Sequence, residues 1–245
     1  MTGPHRMTAP RNSPANPLII ALDFDNTGEA RRLVETLGDT VDFYKVGMEL
    51  YAVAGIDYVR ELTASGKRVF LDLKLYDIGE TVKRATAAIA RTGVSLLTVH
   101  GSNAVMRAAV EGRGASDLKL LAVTVLTSFD QQDVADLGYS TTVAELVALR
   151  ARNAMAAGID GIVCSPLEAA AVRSITGPKA ILVTPGVRSK SAETGDQKRV
   201  ATPEEAIEAG ADYLVIGRQV TRAADPVAEV RRIIEDIRAR ATAAR

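Results

Sequence analysis

The chain has 245 residues, 47% hydrophobic and 24% charged, the proportions of an ordinary globular protein long enough to bury a substantial core. Its 30 Lys and Arg balance 30 Asp and Glu, which excludes the basic footprint of a nucleic-acid binder and leaves any anionic ligand to a local site. The lone cysteine, Cys164, rules out an intrachain disulfide and suits a reducing cytoplasm.

In chain order, residues 1 to 16 carry three Pro, two Asn and two Arg and are expected to form a flexible tail, followed by one domain over 17–245. The apolar run Leu18–Leu22 is too short for a membrane span or a signal-peptide core. Eight runs rich in β-branched and apolar residues then recur: Leu18–Asp23, Phe43–Met48, Arg68–Lys74, Leu96–His100, Lys119–Leu126, Gly161–Ser165, Ala180–Pro185 and Tyr213–Arg218. Near-continuous hydrophobicity is what a parallel sheet buried on both faces requires. Between the runs lie segments with helical patterning, the last with an apolar stripe of Val227, Val230, Ile233, Ile234 and Ile237. The longer gap between the fifth and sixth runs leaves room for an extra helix around Gln131–Leu137.

Eight strands alternating with helices in one domain predict an α/β fold of the closed (β/α)8 TIM-barrel type. An open doubly wound sheet is the alternative. Its Gly-rich dinucleotide fingerprint is missing, because the first run leads into Asp23-Phe24-Asp25-Asn26.

Barrel chemistry sits at the C-terminal ends of the strands. Those ends carry Asp23, Lys45, Asp72, Lys74, His100, Thr127, Ser128 and Arg218. Asp72 and Lys74 are two apart on one strand, so both side chains are expected on one face, with Lys45 reaching that face from the neighbouring strand. Alternating charges inside an apolar barrel must pair. They form either a structural ion-pair layer or a functional site.

The segments Thr184-Pro185-Gly186-Val187-Arg188 and Ile216-Gly217-Arg218 follow the seventh and eighth strands, where barrels frequently bind phosphate. Gly217 permits close backbone approach and Arg218 can grip a phosphate bidentately; ordinary strand-end glycines beside a solvated Arg are the plainer reading. The polar stretch Arg188–Arg199 has the composition of a closing lid or of a surface loop. His100 reads as a packed strand-end residue and Cys164 as a core thiol. No metal, cofactor or covalent nucleophile is indicated.

The segment FLDLKLYDIGETV (70–82) resembles the Asp-x-Lys-x-x-Asp signature of the orotidine 5′-monophosphate decarboxylase family. The likeness extends in order through ALDFDN (21–26), YKVGMEL (44–50), TVLTS (124–128), TPGVRS (184–189), GDQKR (195–199) and IGRQVT (216–221). It implies a cofactor-free and metal-free decarboxylase that makes uridine monophosphate. Lys45, Asp72, Lys74 and Asp77 would form its charged catalytic network, with Lys74 as the proton donor to C6 of the pyrimidine. Asp77 would serve the partner subunit's site, which implies a homodimer. Asp23 and Lys45 would hold ribose hydroxyls and Thr127 the pyrimidine, while Ile78 and Thr81 beside Asp77 would also contact substrate. Gln197 and Arg218 would hold the phosphate with Gly217 beside it, and Arg188 would stand at the base of the closing loop.

Tyr76 stands where this family commonly has His, Gly79-Glu80 where it has Pro-Asn, and Gln219 where it has Pro. The central signature is shared with sister barrel enzymes acting on sugar phosphates, which use Mg2+ and carry Glu at the position of Lys45. A charged Lys cannot ligate a metal, so Lys45 argues against that activity. A barrel that binds a phosphorylated nucleotide without turning it over is a third reading, against which the Asp72–Lys74 pair argues.

Overall fold

The structure, a computed structural model, describes residues 14, 16–189 and 201–243. All eight apolar runs form strands: β1 (Leu18–Ala21), β2 (Phe43–Gly47), β3 (Arg68–Leu75), β4 (Leu96–His100), β5 (Lys119–Val123), β6 (Gly161–Val163), β7 (Ile181–Thr184) and β8 (Tyr213–Ile216). Each pairs in parallel with its neighbours, and β8 returns to β1, closing the barrel in sequence order. Closure removes both sheet edges, so no strand is left with an unpaired side. The expected TIM barrel is therefore present. Several strands end earlier than their apolar runs, which leaves Asp23 and Thr127 on the loops just beyond and Arg218 at the start of a short helix.

The helices are α1 (Thr27–Leu37), α2 (Met48–Ala64), α3 (Gly79–Ala90), α4 (Asn103–Arg113), α5 (Gln131–Asp136), α6 (Val143–Ala157), α7 (Ala169–Thr176), α8 (Pro203–Glu208), α9 (Arg218–Thr221) and α10 (Pro226–Ala243). The extra helix expected after β5 is α5, started by a capping box of Asp130 and Asp133. Asn26 caps α1 by accepting from the Glu29 amide at 2.9 Å, which turns the chain sharply just after Asp23. Most of the expected tail lies outside the described residues, but Asn16 already brackets β1, accepting from Leu18 N and donating to the Thr40 carbonyl.

Alternation along the strands divides the apolar residues into two cores. One set lies between sheet and helices, with Leu18, Ile20, Tyr44, Val46, Val69 and Leu71 among its members. The other fills the barrel: Ile19 and Ala21, Phe43, Phe70, Leu96, Leu121 and Val123, Val163, Val183 and Val215. This plug closes the lower barrel, where Phe43 meets Tyr213 edge-on at 5.4 Å and Arg68 lies over the Phe43 ring. The plug also sets the site above it. Two residues beyond Phe43, Phe70 and Leu96 stand Lys45, Asp72 and Thr98, the next inward positions on three adjacent strands.

Candidate active site

A cavity of about 860 Å³ opens at the C-terminal end of the barrel. Asp23, Lys45, Asp72, Lys74, Thr127, Arg188, Gly217 and Arg218 all line it. Its charged floor is a chain of alternating sign. Lys45 Nζ donates to Asp23 Oδ1 at 2.8 Å and lies 3.9 Å from Asp72 Oδ2, while Lys74 Nζ donates to Asp72 Oδ1 at 2.9 Å. The Lys45 side chain is only 11% exposed and that of Asp72 15%, so these two charges depend on their partners, while Asp23 and Lys74 at the ends of the chain keep contact with water.

The pairing of Asp72 with Lys74 follows the expectation, but the backbone route differs from simple strand alternation. Leu71 pairs with Leu97 and Leu75 with Val99, so four steps along β3 match two along β4. Lys74 absorbs the surplus with φ of 50°, the only described non-glycine residue with positive φ. A bulge of this kind re-aims a side chain next to a site. Here it turns the Lys74 ammonium back over Asp72.

Two residues that the sequence reading passed over shape this floor. Gly47, at the end of β2, has no side chain where Lys45 Nζ lies: a Cβ there would stand 2.8 Å from the ammonium and 3.3 Å from Asp23 Oδ1. Thr98, fully buried on β4, accepts from Lys74 N at 2.9 Å and donates to Asp72 Oδ1 at 2.9 Å. The signal for both was positional, since Gly47 falls two residues after Lys45 and Thr98 two after the inward Leu96.

Toward β7 and β8 the cavity wall becomes cationic. β7 and β3 stand opposite one another in the eight-strand ring, so Arg188 after β7 faces Asp72 and Lys74 from the far side, while Arg218 follows β8, which pairs with the strand leading to Asp23. Burial, and then the like charge of Arg218, hold the Arg188 guanidinium below its usual pKa. Two cations set this close favour a dianion between them. Gly186 makes the turn after β7 with φ of 75°, a left-handed conformation suited to glycine.

Gln219, where the family commonly has Pro, binds the backbone and hydroxyl of Ser189: Oε1 accepts from Ser189 N at 3.0 Å and Nε2 donates to Ser189 Oγ at 2.7 Å. Its Nε2 also donates to Glu229 of α10, which holds Arg232. Arg188 N donates to the Ala201 carbonyl, so both ends of the segment after β7 are fixed.

Not every expected residue gathers here. Asp77, Ile78 and Thr81 are exposed on the loop and first turn after β3 and do not line the cavity; Asp77 accepts from its neighbour Ile78 N. Gln197, and with it most of the expected lid, lies outside the described residues. Cys164 is buried, in keeping with a core thiol, and also touches the cavity wall. Among the described residues no group of three or more His, Cys, Asp or Glu could hold a metal, and no helix is long and apolar enough to cross a membrane.

The arrangement can hold a molecule with an anionic group at β7 and β8, hydroxyls near Asp23 and Lys45, and a reacting centre over Asp72 and Lys74. Known proteins share the chain's pattern. The family described as orotidine 5′-phosphate decarboxylase / HUMPS matches residues 16–233. An orotidine 5′-phosphate decarboxylase of Nitrobacter winogradskyi is 51% identical over 237 residues, covering 97% of each chain. One of Rhodopseudomonas palustris is 53% identical over 222 residues, covering 91% of this chain and 94% of its own. The crystal structure of orotidine 5′-phosphate decarboxylase from Lactobacillus acidophilus superposes with a TM-score of 0.80 at 38% identity, over 91% of this chain and 99% of that one. On a match that takes in the whole barrel and the entire charged floor, this chain belongs to the orotidine 5′-phosphate decarboxylase / HUMPS family.

Proposed function

We propose that residues 17–245 form an enzyme that decarboxylates orotidine 5′-monophosphate to uridine 5′-monophosphate, the last step of de novo pyrimidine nucleotide synthesis, in the cytoplasm and without metal or cofactor. The observation that carries this reading is the Asp23–Lys45–Asp72–Lys74 charge chain set across one cavity from Arg188 and Arg218. The formal charges of the four floor residues sum to zero. With both lysines already paired to aspartates, a ligand carboxylate placed beside Asp72 meets a like charge at short range, a repulsion that its loss as CO2 relieves.

In this reading Arg188, Arg218 and Gln197 hold the 5′-phosphate with Gly217 beside it, Asp23 and Lys45 hold the ribose hydroxyls, and Thr127 meets the pyrimidine. The substrate carboxylate lies against Asp72. Two unit charges about 4 Å apart repel by about 4 kcal/mol at an effective dielectric near 20. The bond from C6 to the carboxylate breaks, its electron pair stays on C6 and CO2 departs. The Lys74 ammonium stabilises the growing carbanion and then delivers its proton to C6. Phosphate binding far from C6 contributes energy that organises this end of the cavity.

A homodimer completes the proposal. Tyr76 and Ile78, 68% and 76% exposed, flank Asp77 with apolar surface that a second copy can cover. Asp77, Ile78 and Thr81 then act in the partner's site.

Ultraviolet absorbance of orotidine 5′-monophosphate with purified protein in excess chelator tests the reaction: a spectral change to uridine 5′-monophosphate supports it. No change from folded protein refutes it. Lys74→Ala should abolish turnover while nucleotide binding persists, and mixing it with Asp77→Ala should restore activity through hybrid dimers. Failure of the mixture would remove the shared site alone.

A further inference from the structure

We propose that Thr98 is a positioning residue for the decarboxylation, its one hydroxyl fixing both the Asp72 carboxylate and the Lys74 backbone in the geometry that the reaction needs. The inference rests on the reaction proposed above. Its geometry stands independently.

The three residues form a closed ring of hydrogen bonds. Lys74 N donates to Thr98 Oγ1, Thr98 Oγ1 donates to Asp72 Oδ1, and Lys74 Nζ donates to the same Oδ1, each at 2.9 Å. The direction of the middle bond is forced, because an ionised carboxylate only accepts. The hydroxyl's one proton goes to Asp72, leaving its lone pairs to receive the Lys74 amide.

The ring sits where the backbone most needs support. Lys74 holds φ of 50° at the point where β3 slips against β4. A left-handed conformation is strained for a residue that carries a side chain. The two Thr98 bonds, one of them to a charged group, offset that strain. Without them the Lys74 backbone loses its side-chain anchor, and the ammonium is free to shift relative to Asp72.

Packing alone does not explain Thr at this position. Thr98 is fully buried on a central strand, where Val has the same shape and β-branching and no polar group to satisfy. The hydroxyl is tied to Lys74 and Asp72, the two groups assigned to the chemistry. Nor does Thr98 line the cavity, so its effect on substrate passes through those neighbours.

The test compares Thr98→Val, which keeps the shape and removes both bonds, with Thr98→Ser, which keeps both bonds. Thr98→Val should lower kcat about 100-fold, the cost of a displacement near 1 Å at a reacting group. KM should change far less, because the phosphate contacts assigned above follow β7 and β8, across the barrel from β4. The Lys74 backbone amide, followed by NMR hydrogen exchange, should lose protection in Thr98→Val. Thr98→Ser should restore both kcat and protection. An unchanged kcat or an unchanged Lys74 amide in Thr98→Val, or a Ser variant that behaves like Val, overturns the assignment. An unsubstituted protein inert toward orotidine 5′-monophosphate would instead overturn the reaction, and the Lys74 amide would still decide whether Thr98 holds the bulge.

Discussion

The Lys45 ammonium occupies the space beside Gly47 that a side chain would claim: a Cβ at residue 47 would stand 2.8 Å from Lys45 Nζ. The clash is with the far end of a flexible side chain, so the backbone of β2 can accept a methyl group while the ammonium cannot stay in place. Gly47→Ala should therefore leave the melting temperature nearly unchanged and, if Lys45 serves the proposed reaction, cut kcat/KM about 100-fold, as expected for a displacement near 1 Å at a reacting group. A parallel loss of thermal stability would mean that the glycine serves the fold instead.

At the opposite rim, Arg188 and Arg218 form the cationic end of the cavity. Removing one charge-assisted contact to an anion costs about 1.5–3 kcal/mol, roughly 10- to 150-fold in affinity. Arg218→Ala should raise the KM for orotidine 5′-monophosphate within that range and weaken inhibition by inorganic phosphate in proportion. Steady-state kinetics with phosphate as inhibitor measure both. An unchanged phosphate inhibition constant would place the phosphate elsewhere.

His100, at the end of β4, stacks on Tyr76 with ring centroids 4.3 Å apart, and its Nδ1 is buried with no hydrogen-bond partner. Burial first, and then the charge of Arg150, lower its pKa from the usual histidine value. The unfolded chain therefore takes up a proton near pH 6.5 that the folded chain resists. This contribution to stability is full above about pH 6.5 and is lost as the pH falls through the lowered folded value. His100→Gln should flatten that acid-side decline in urea unfolding followed from pH 7.5 to pH 5. An identical decline in the variant would assign it to other groups.

Much of this was legible from residue order alone. The eight apolar runs located every strand of the described residues, and Lys45, Asp72, Lys74, Thr127, Arg188, Gly217 and Arg218 all line the expected cavity. The β3 bulge was not legible. Alternation placed Asp72 and Lys74 on one face, and the structure joins them through a left-handed residue and a register slip instead. Thr98 was hidden for the same reason: a threonine in a strand reads as β-propensity until its hydroxyl is seen between two charged residues. Gly47 carried no signal beyond its place after Lys45, because what matters there is an empty volume. Asp77 was legible only through family resemblance, since within one chain it points to solvent beside Ile78.

Gln219 links the inner and outer layers of the barrel. It ties Ser189, next to Arg188, to Glu229 on the final helix, where Glu229 also holds Arg232. Proline at residue 219 has no side-chain amide with which to make this tie. The final helix of this chain is thus tied through one glutamine to the residue next to Arg188, so a change of charge at Glu229 or Arg232, outside the barrel's strands, should be felt at the cavity rim.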